Sequence, residues 1–181
     1  MDRSRALELV KEHIKTKNLV KHVLAVEAVM KALARKLGED EELWGLAGLL
    51  HDLDYEYTKD DPARHGYMTL ELLKDENIPE EVKKAVLAHA GHKERELPIE
   101  KAIYAADPVT GFIVAGALIR KEKKLEALDV PFLLRRFKEK AFARGASREQ
   151  ISSCQELGLT LEEFLGLSLD AMKRIASELG L

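Results

Sequence analysis

The doublet His51-Asp52 closes an apolar run, Leu43-Trp44-Gly45-Leu46-Ala47-Gly48-Leu49-Leu50. Two polar, metal-competent side chains at the end of such a segment are costly to bury without partners. The chain offers partners in His22 upstream and in His65, His89 and Asp107 downstream, each set in its own apolar segment. A fold that satisfies all six must bring them together in one core, where they would hold two metal ions.

Helical periodicity dominates the chain and strand signals are weak. Val23, Val26, Met30, Leu33 and Leu37 recur at helical spacing, and His22 lies on the same stripe. Asn18 is the expected cap of this helix and Gly38 its end. Asp40 is read as the cap of the helix that delivers His51 and Asp52. Asp60-Asp61-Pro62 is expected to start another helix carrying His65. Pro79 opens a helix on which Val82, Val86 and His89 share a face, and Gly91 ends it. Pro98 begins an apolar segment to Ile119, with an interruption expected at Asp107-Pro108. Asp107 has two readings there, as a helix cap and as an inward-facing ligand. Pro131 is expected to restart a helix through about Arg144. Ser147 and Thr160 each head a capping-box pattern.

The expectation is an all-α single domain over 1–181. A metal-binding helical core fills 1–119 and a helical extension fills 120–181. The 181 residues are ample for one core. Charged residues make up 34% of the chain and the net charge is -3, so no global attraction to nucleic acid or anionic membrane is expected. From Arg120 to Glu149, ten basic residues face five acidic ones, a local excess able to steer an anion. Charges interrupt every apolar stretch before the roughly 20 residues of a membrane span. With no signal-peptide pattern at Met1-Asp2-Arg3-Ser4-Arg5, the cytoplasm is the expected location. Cys154 is the sole cysteine, which excludes an internal disulfide and cysteine-based metal sites.

His22, His51, Asp52 and Asp107 suffice for one divalent ion. His65 and His89 would hold a second, with Asp52 bridging through one oxygen to each. A donor set this rich in imidazole selects Mn, Fe, Co, Ni or Zn over Mg or Ca. One or two such ions imply hydroxide attack on phosphorus. Among the neighbours, Asp54 and Glu56 are candidates for acid catalysis or substrate orientation. His92 and Lys93 are candidates for substrate contact, with solvated loop positions as the competing reading.

His22, His51-Asp52, His65 in Arg64-His65-Gly66, His89 in Leu87-Ala88-His89-Ala90 and Asp107 in Tyr104-Ala105-Ala106-Asp107 resemble the HD-domain metal-dependent phosphohydrolases. The likeness is to members with the expanded H…HD…H…H…D set. It implies an all-helical fold and hydrolysis of a phosphomonoester or phosphodiester, commonly of a nucleotide. Asp52, as the bridging carboxylate, is also expected to be catalytic. Many members follow the doublet with Gly-Lys, or place a glutamate three residues after its aspartate. Here Leu53-Asp54-Tyr55-Glu56 follows, so that lysine is absent and the glutamate comes one residue late. The expected partner is a small phosphorylated substrate, with no nucleic-acid polymer and no membrane. Two further classes share this ligand set, a di-iron oxygenase and a non-catalytic, metal-stabilised helical interaction module.

Overall fold

A computed structural model describes residues 1–181. The chain forms α1 (Arg3–His13), α2 (Lys17–Leu37), α3 (Glu41–Leu50), α4 (Tyr55–Thr58), α5 (Tyr67–Leu72) and α6 (Glu80–His89). They are followed by α7 (Pro98–Ile119), α8 (Val130–Phe137), α9 (Arg148–Ser152), α10 (Leu161–Arg174) and α11 (Ala176–Leu179). There is no strand, and the fold is all-α.

The long helices α2, α3 and α7 make the frame. α3 packs along α2, α7 packs on both α2 and α6, and α10 covers α2 and α7 from the C-terminal side. Gly48 sets the closest approach. A Cβ there would stand 2.7 Å from the main-chain nitrogen of Glu27, so only glycine lets α3 lie this near α2. That approach draws His51 towards His22. The apolar core runs without a break from Ala6 to Leu179, so the last sixty residues share it with the first.

Four expectations about elements change. Asn18 is not the cap of α2, because the helix begins at Lys17 with Thr16 before it. The amides of Lys15 and Thr16, just before the helix, donate to Glu56 Oε1 at 3.1 and 2.7 Å, so α4 fixes the chain's entry into α2. Asp60-Asp61-Pro62 forms turns, and the next helix waits until after Gly66, whose φ of +84° breaks helical continuity.

α7 is uninterrupted at Asp107-Pro108. Pro108 has no N–H for the Tyr104 carbonyl, and Gln150 Nε2 from α9 donates to that oxygen at 3.4 Å instead. Asp107 therefore stands mid-helix and caps nothing. The 22 residues of α7 are also long and apolar enough, by length and composition, to match a membrane span. Here much of that apolar surface faces the core, where Ile103, Val109, Phe112 and Ile113 are fully buried, while Leu118 and Ile119 at its end are exposed.

α8 stops at Phe137 and not near Arg144. The reason is Arg148, whose five N–H groups all donate to main-chain carbonyls, those of Phe137, Glu139, Phe142, Ala143 and Ala146. Carbonyls satisfied by this guanidinium no longer need a helical partner. Its face also lies over the rings of Phe112 and Phe137.

Candidate metal centre

Six side chains converge where α2, α3, α6 and α7 meet. His22 comes from the second turn of α2, His51 and Asp52 from the end of α3, His89 from the last residue of α6 and Asp107 from the middle of α7. His65 comes from the turn before α5.

The two oxygens of Asp52 face different groups. Oδ2 lies 3.4 Å from both His22 Nε2 and His51 Nε2. Oδ1 lies 3.4 Å from both His65 Nε2 and His89 Nε2. Asp107 Oδ1 completes the first group, 3.0 Å from His22 Nε2 and 3.7 Å from His51 Nε2. Each group gathers donor atoms close enough to hold a metal ion.

Every imidazole is oriented by its other nitrogen. His51 Nδ1 donates to the Gly48 carbonyl at 2.8 Å and His89 Nδ1 to the Val86 carbonyl at 2.6 Å. His65 Nδ1 donates to Asp54 Oδ1 at 2.8 Å. The Thr110 hydroxyl donates to the Asp107 carbonyl at 3.0 Å, which leaves its oxygen to accept from His22 Nδ1 at 3.2 Å. Carbonyls and carboxylates only accept, so the proton of each neutral ring sits on Nδ1 and the Nε2 lone pairs all point inward.

This arrangement is the test of whether a metal fits, and it does. His51 Nε2 is fully buried and has no hydrogen-bond partner. His65 Nε2 and His89 Nε2 stand 3.0 Å apart with lone pairs facing, which a cation between them reconciles. Donors bound at about 2.1 Å to one ion stand about 3.0 Å apart at right angles and about 3.4 Å apart at tetrahedral angles. The contacts at 3.0 to 3.4 Å between these donor atoms match, and His51 Nε2 to Asp107 Oδ1 is longer at 3.7 Å.

The electrostatics agree. Burial opposes charge on His22, but Asp107 and Asp52 outweigh it and lift its pKa to about 9. His51 is raised well above its ordinary value by the same carboxylates, against burial. Burial also works against ionisation of Asp107 and Asp52, yet the facing imidazoles hold both well below the ordinary carboxylate range. The cluster draws positive charge, whether as protons or as metal.

The remaining expected site residues lie elsewhere. Asp54 is fully buried behind His65 and does not face the centre. Its oxygens accept from His65 Nδ1, from the Gly66 amide at 2.7 Å and from the Thr69 amide at 3.0 Å. These bonds overcome burial and keep its pKa lowered, so Asp54 orients His65 and has no free oxygen for acid catalysis. Glu56 is occupied at the start of α2, as described above. Lys93 is held by Glu100 at 2.7 Å, and Glu100 itself secures the amides of Glu96 and Leu97 at the head of α7. His92 Nε2 donates to the His65 carbonyl at 2.7 Å while its ring lies against Tyr67, so it braces the turn that carries His65.

Thr110 is the orienting group that reading the sequence missed. Its only signal is the three-residue step from Asp107 along one helix face.

The HD domain family matches residues 19–131 of the chain. The chain belongs to the HD-domain family. Curated relatives named ribonuclease Y also match the chain. That of Sulfurovum sp. (strain NBC37-1) is 30% identical over 138 residues, covering 73% of this chain and 26% of its own length. Those of Desulforudis audaxviator and Staphylococcus epidermidis are 31% and 33% identical with the same coverage. The chain thus spans about a quarter of the length of the curated relatives it matches. No solved structure gives a significant match. The expectation that no nucleic-acid polymer concerns this chain is overturned, because its HD-domain relatives carry the name of a ribonuclease. A weak overall charge was a poor basis for that exclusion, since a local site can bind what the whole surface does not attract.

Proposed function

We propose that the chain is a metal-dependent phosphohydrolase that cleaves a phosphodiester or phosphomonoester of a nucleotide, free or within RNA. The observation that carries this reading is the inward convergence of four Nε2 lone pairs on the two carboxylates of Asp52 and Asp107, with His51 Nε2 lacking any protein partner.

His22, His51, Asp52 and Asp107 hold one divalent ion, and Asp52, His65 and His89 hold a second. Mn, Fe, Co, Ni or Zn suits these donors. Bound ions supply an acidified water as nucleophile and positive charge opposite the phosphoryl oxygens. The chain's own part is orientation. Gly48, Val86, Asp54 and Thr110 keep the ring protons on Nδ1, so no imidazole turns its N–H towards the centre. Asp52 places one oxygen in each group, and His22, His65 and Asp107 leave the centre partly open for substrate. The ribonuclease name of the relatives supports including RNA among substrates. The 120–181 segment belongs to the same folding unit, supported by its share of the core and by the bond from Gln150 to Tyr104.

The test is to strip the full chain of metal, reconstitute it with each of the five metals, and assay a phosphodiester chromogen, nucleotides and short RNA. Metal-dependent hydrolysis is expected, with His51→Ala losing more metal affinity than the roughly 10–100-fold typical of an outer-shell change. A wild-type protein that takes up none of these metals overturns the reading.

A further inference from the structure

Between α2, α7 and the C-terminal residues lies a cavity of about 480 Å³ that opens onto His22. Its volume is that of a small-molecule site, and such sites are mostly apolar with a few placed polar groups. Here Ala25, Val114 and Leu118 form the apolar part, and Asn18 and Lys21 supply the polar groups. Asn18, Lys21, His22 and Ala25 fall on one face of α2 by their three-to-four spacing.

Two features mark the cavity as unfinished. Leu118 is 51% exposed, among the most exposed large apolar side chains of the chain. The Lys21 ammonium lies over Gly180 and is absent from every ion pair in the protein, whereas Lys93 and Arg95 are paired with Glu100 and Glu156.

The lining discriminates among occupants. A saturated acyl chain would leave the Asn18 amide and the Lys21 ammonium facing hydrocarbon, at a cost in lost hydration. A bare sugar would set hydroxyls against Ala25, Val114 and Leu118. A heteroaromatic base has apolar faces and a polar edge, and so matches both halves of the lining. Of the six inward-facing side chains the cavity reaches His22 alone, with Thr110 beside its Nδ1, so a base here lies behind that ring, next to the centre that would act on its phosphate.

We infer that this cavity is the nucleobase subsite of the substrate, with Asn18 and Lys21 contacting the base edge and Ala25, Val114 and Leu118 its faces. The inference rests on the phosphohydrolase reading for its meaning but is testable apart from it.

Nucleosides carry no phosphate and need no metal, so uridine and guanosine are titrated into the metal-free full chain while amide chemical shifts are followed. Saturable shifts centred on Asn18, Lys21 and Val114 are expected. Val114→Trp fills the cavity and should weaken binding by about tenfold or more, and Asn18→Ala, at an exposed first-turn position, by about tenfold for one lost hydrogen bond. Far-UV circular dichroism and metal uptake show whether each variant is folded. If Val114→Trp does not fold, Asn18→Ala decides alone. Absence of saturable binding in the wild type, or binding indifferent to the folded variants, overturns the subsite. Failure of metal uptake with nucleoside binding intact would instead overturn the phosphohydrolase reading and leave the subsite standing.

Discussion

His22, His51 and Asp107 stand on or at the end of the long helices α2, α3 and α7, whose mutual packing would place these side chains even if no polar contact existed between them. His65 stands on a turn with no helix of its own, and two side-chain hydrogen bonds anchor it: Asp54 at its ring and His92 at its carbonyl. One half of the centre is thus positioned by apolar burial and close helix approach, whereas in the other His89 rests on packed α6 and His65 on a hydrogen-bonded brace. Packing tolerates loss of a single polar contact, whereas a brace does not. The two halves should therefore fail differently.

The largest effect is expected where the halves meet. Asp52→Asn removes one of the charges that each ion needs and can turn an N–H towards the imidazoles. Loss of hydrolysis by about 10³-fold or more is expected, with both ions depleted. Metal analysis of the purified variant distinguishes this from a local defect. If one full equivalent is retained with high activity, Asp52 does not serve both halves.

Asp54→Ala separates the halves. His65 loses its anchor, as do the amides of Gly66 and Thr69, while His22, His51 and Asp107 keep theirs. The affinity of the second ion should fall by about 10–100-fold and that of the first should hardly change. A calorimetric titration resolving two classes of site reads this directly. Equal weakening of both would show that the brace supports the whole centre.

What could be read from the sequence follows the same division. Helices with a continuous apolar stripe declare themselves, and so do the metal-competent residues set in them, because period and burial are local properties. His22 on its stripe and the doublet after Leu50 are of this kind. The role of Asp54 was not legible, since it depends on Gly66 and Thr69 folding back twelve and fifteen residues later. Asp107 was ambiguous because a proline after it commonly ends or begins a helix. Its position in mid-helix depends on a side chain from Gln150, which only the fold brings near. The same holds for Glu56, whose work at the start of α2 depends on contacts about forty residues back in the chain. Arg148 reads as one more surface charge in a basic stretch, yet it gathers five carbonyls and fixes the end of α8.

The smallest expected effect concerns pH, and it sharpens the comparison from the side of the packed half. Without metal, His22 keeps its proton up to about pH 9 against an ordinary value of 6.5, and His51 and, in the other half, His65 are shifted in the same direction. A pKa raised by folding contributes stability that is complete below the unfolded value and is lost as pH rises through the folded one. Metal-free protein should therefore melt at progressively lower temperature between about pH 6.5 and pH 9, by about 2–4 °C for each kcal/mol lost in a domain of this size. Asp52 and Asp107 do not offset this, because their lowered values place their own contribution's loss at far more acidic pH. With an ion in place of the protons, the imidazoles are neutral throughout and the slope should vanish. The gap between metal-bound and metal-free melting temperatures should widen with pH across this window. A gap that stays constant would mean that the rings of His22 and His51 are already neutral in the metal-free fold, and that packing alone holds this half together.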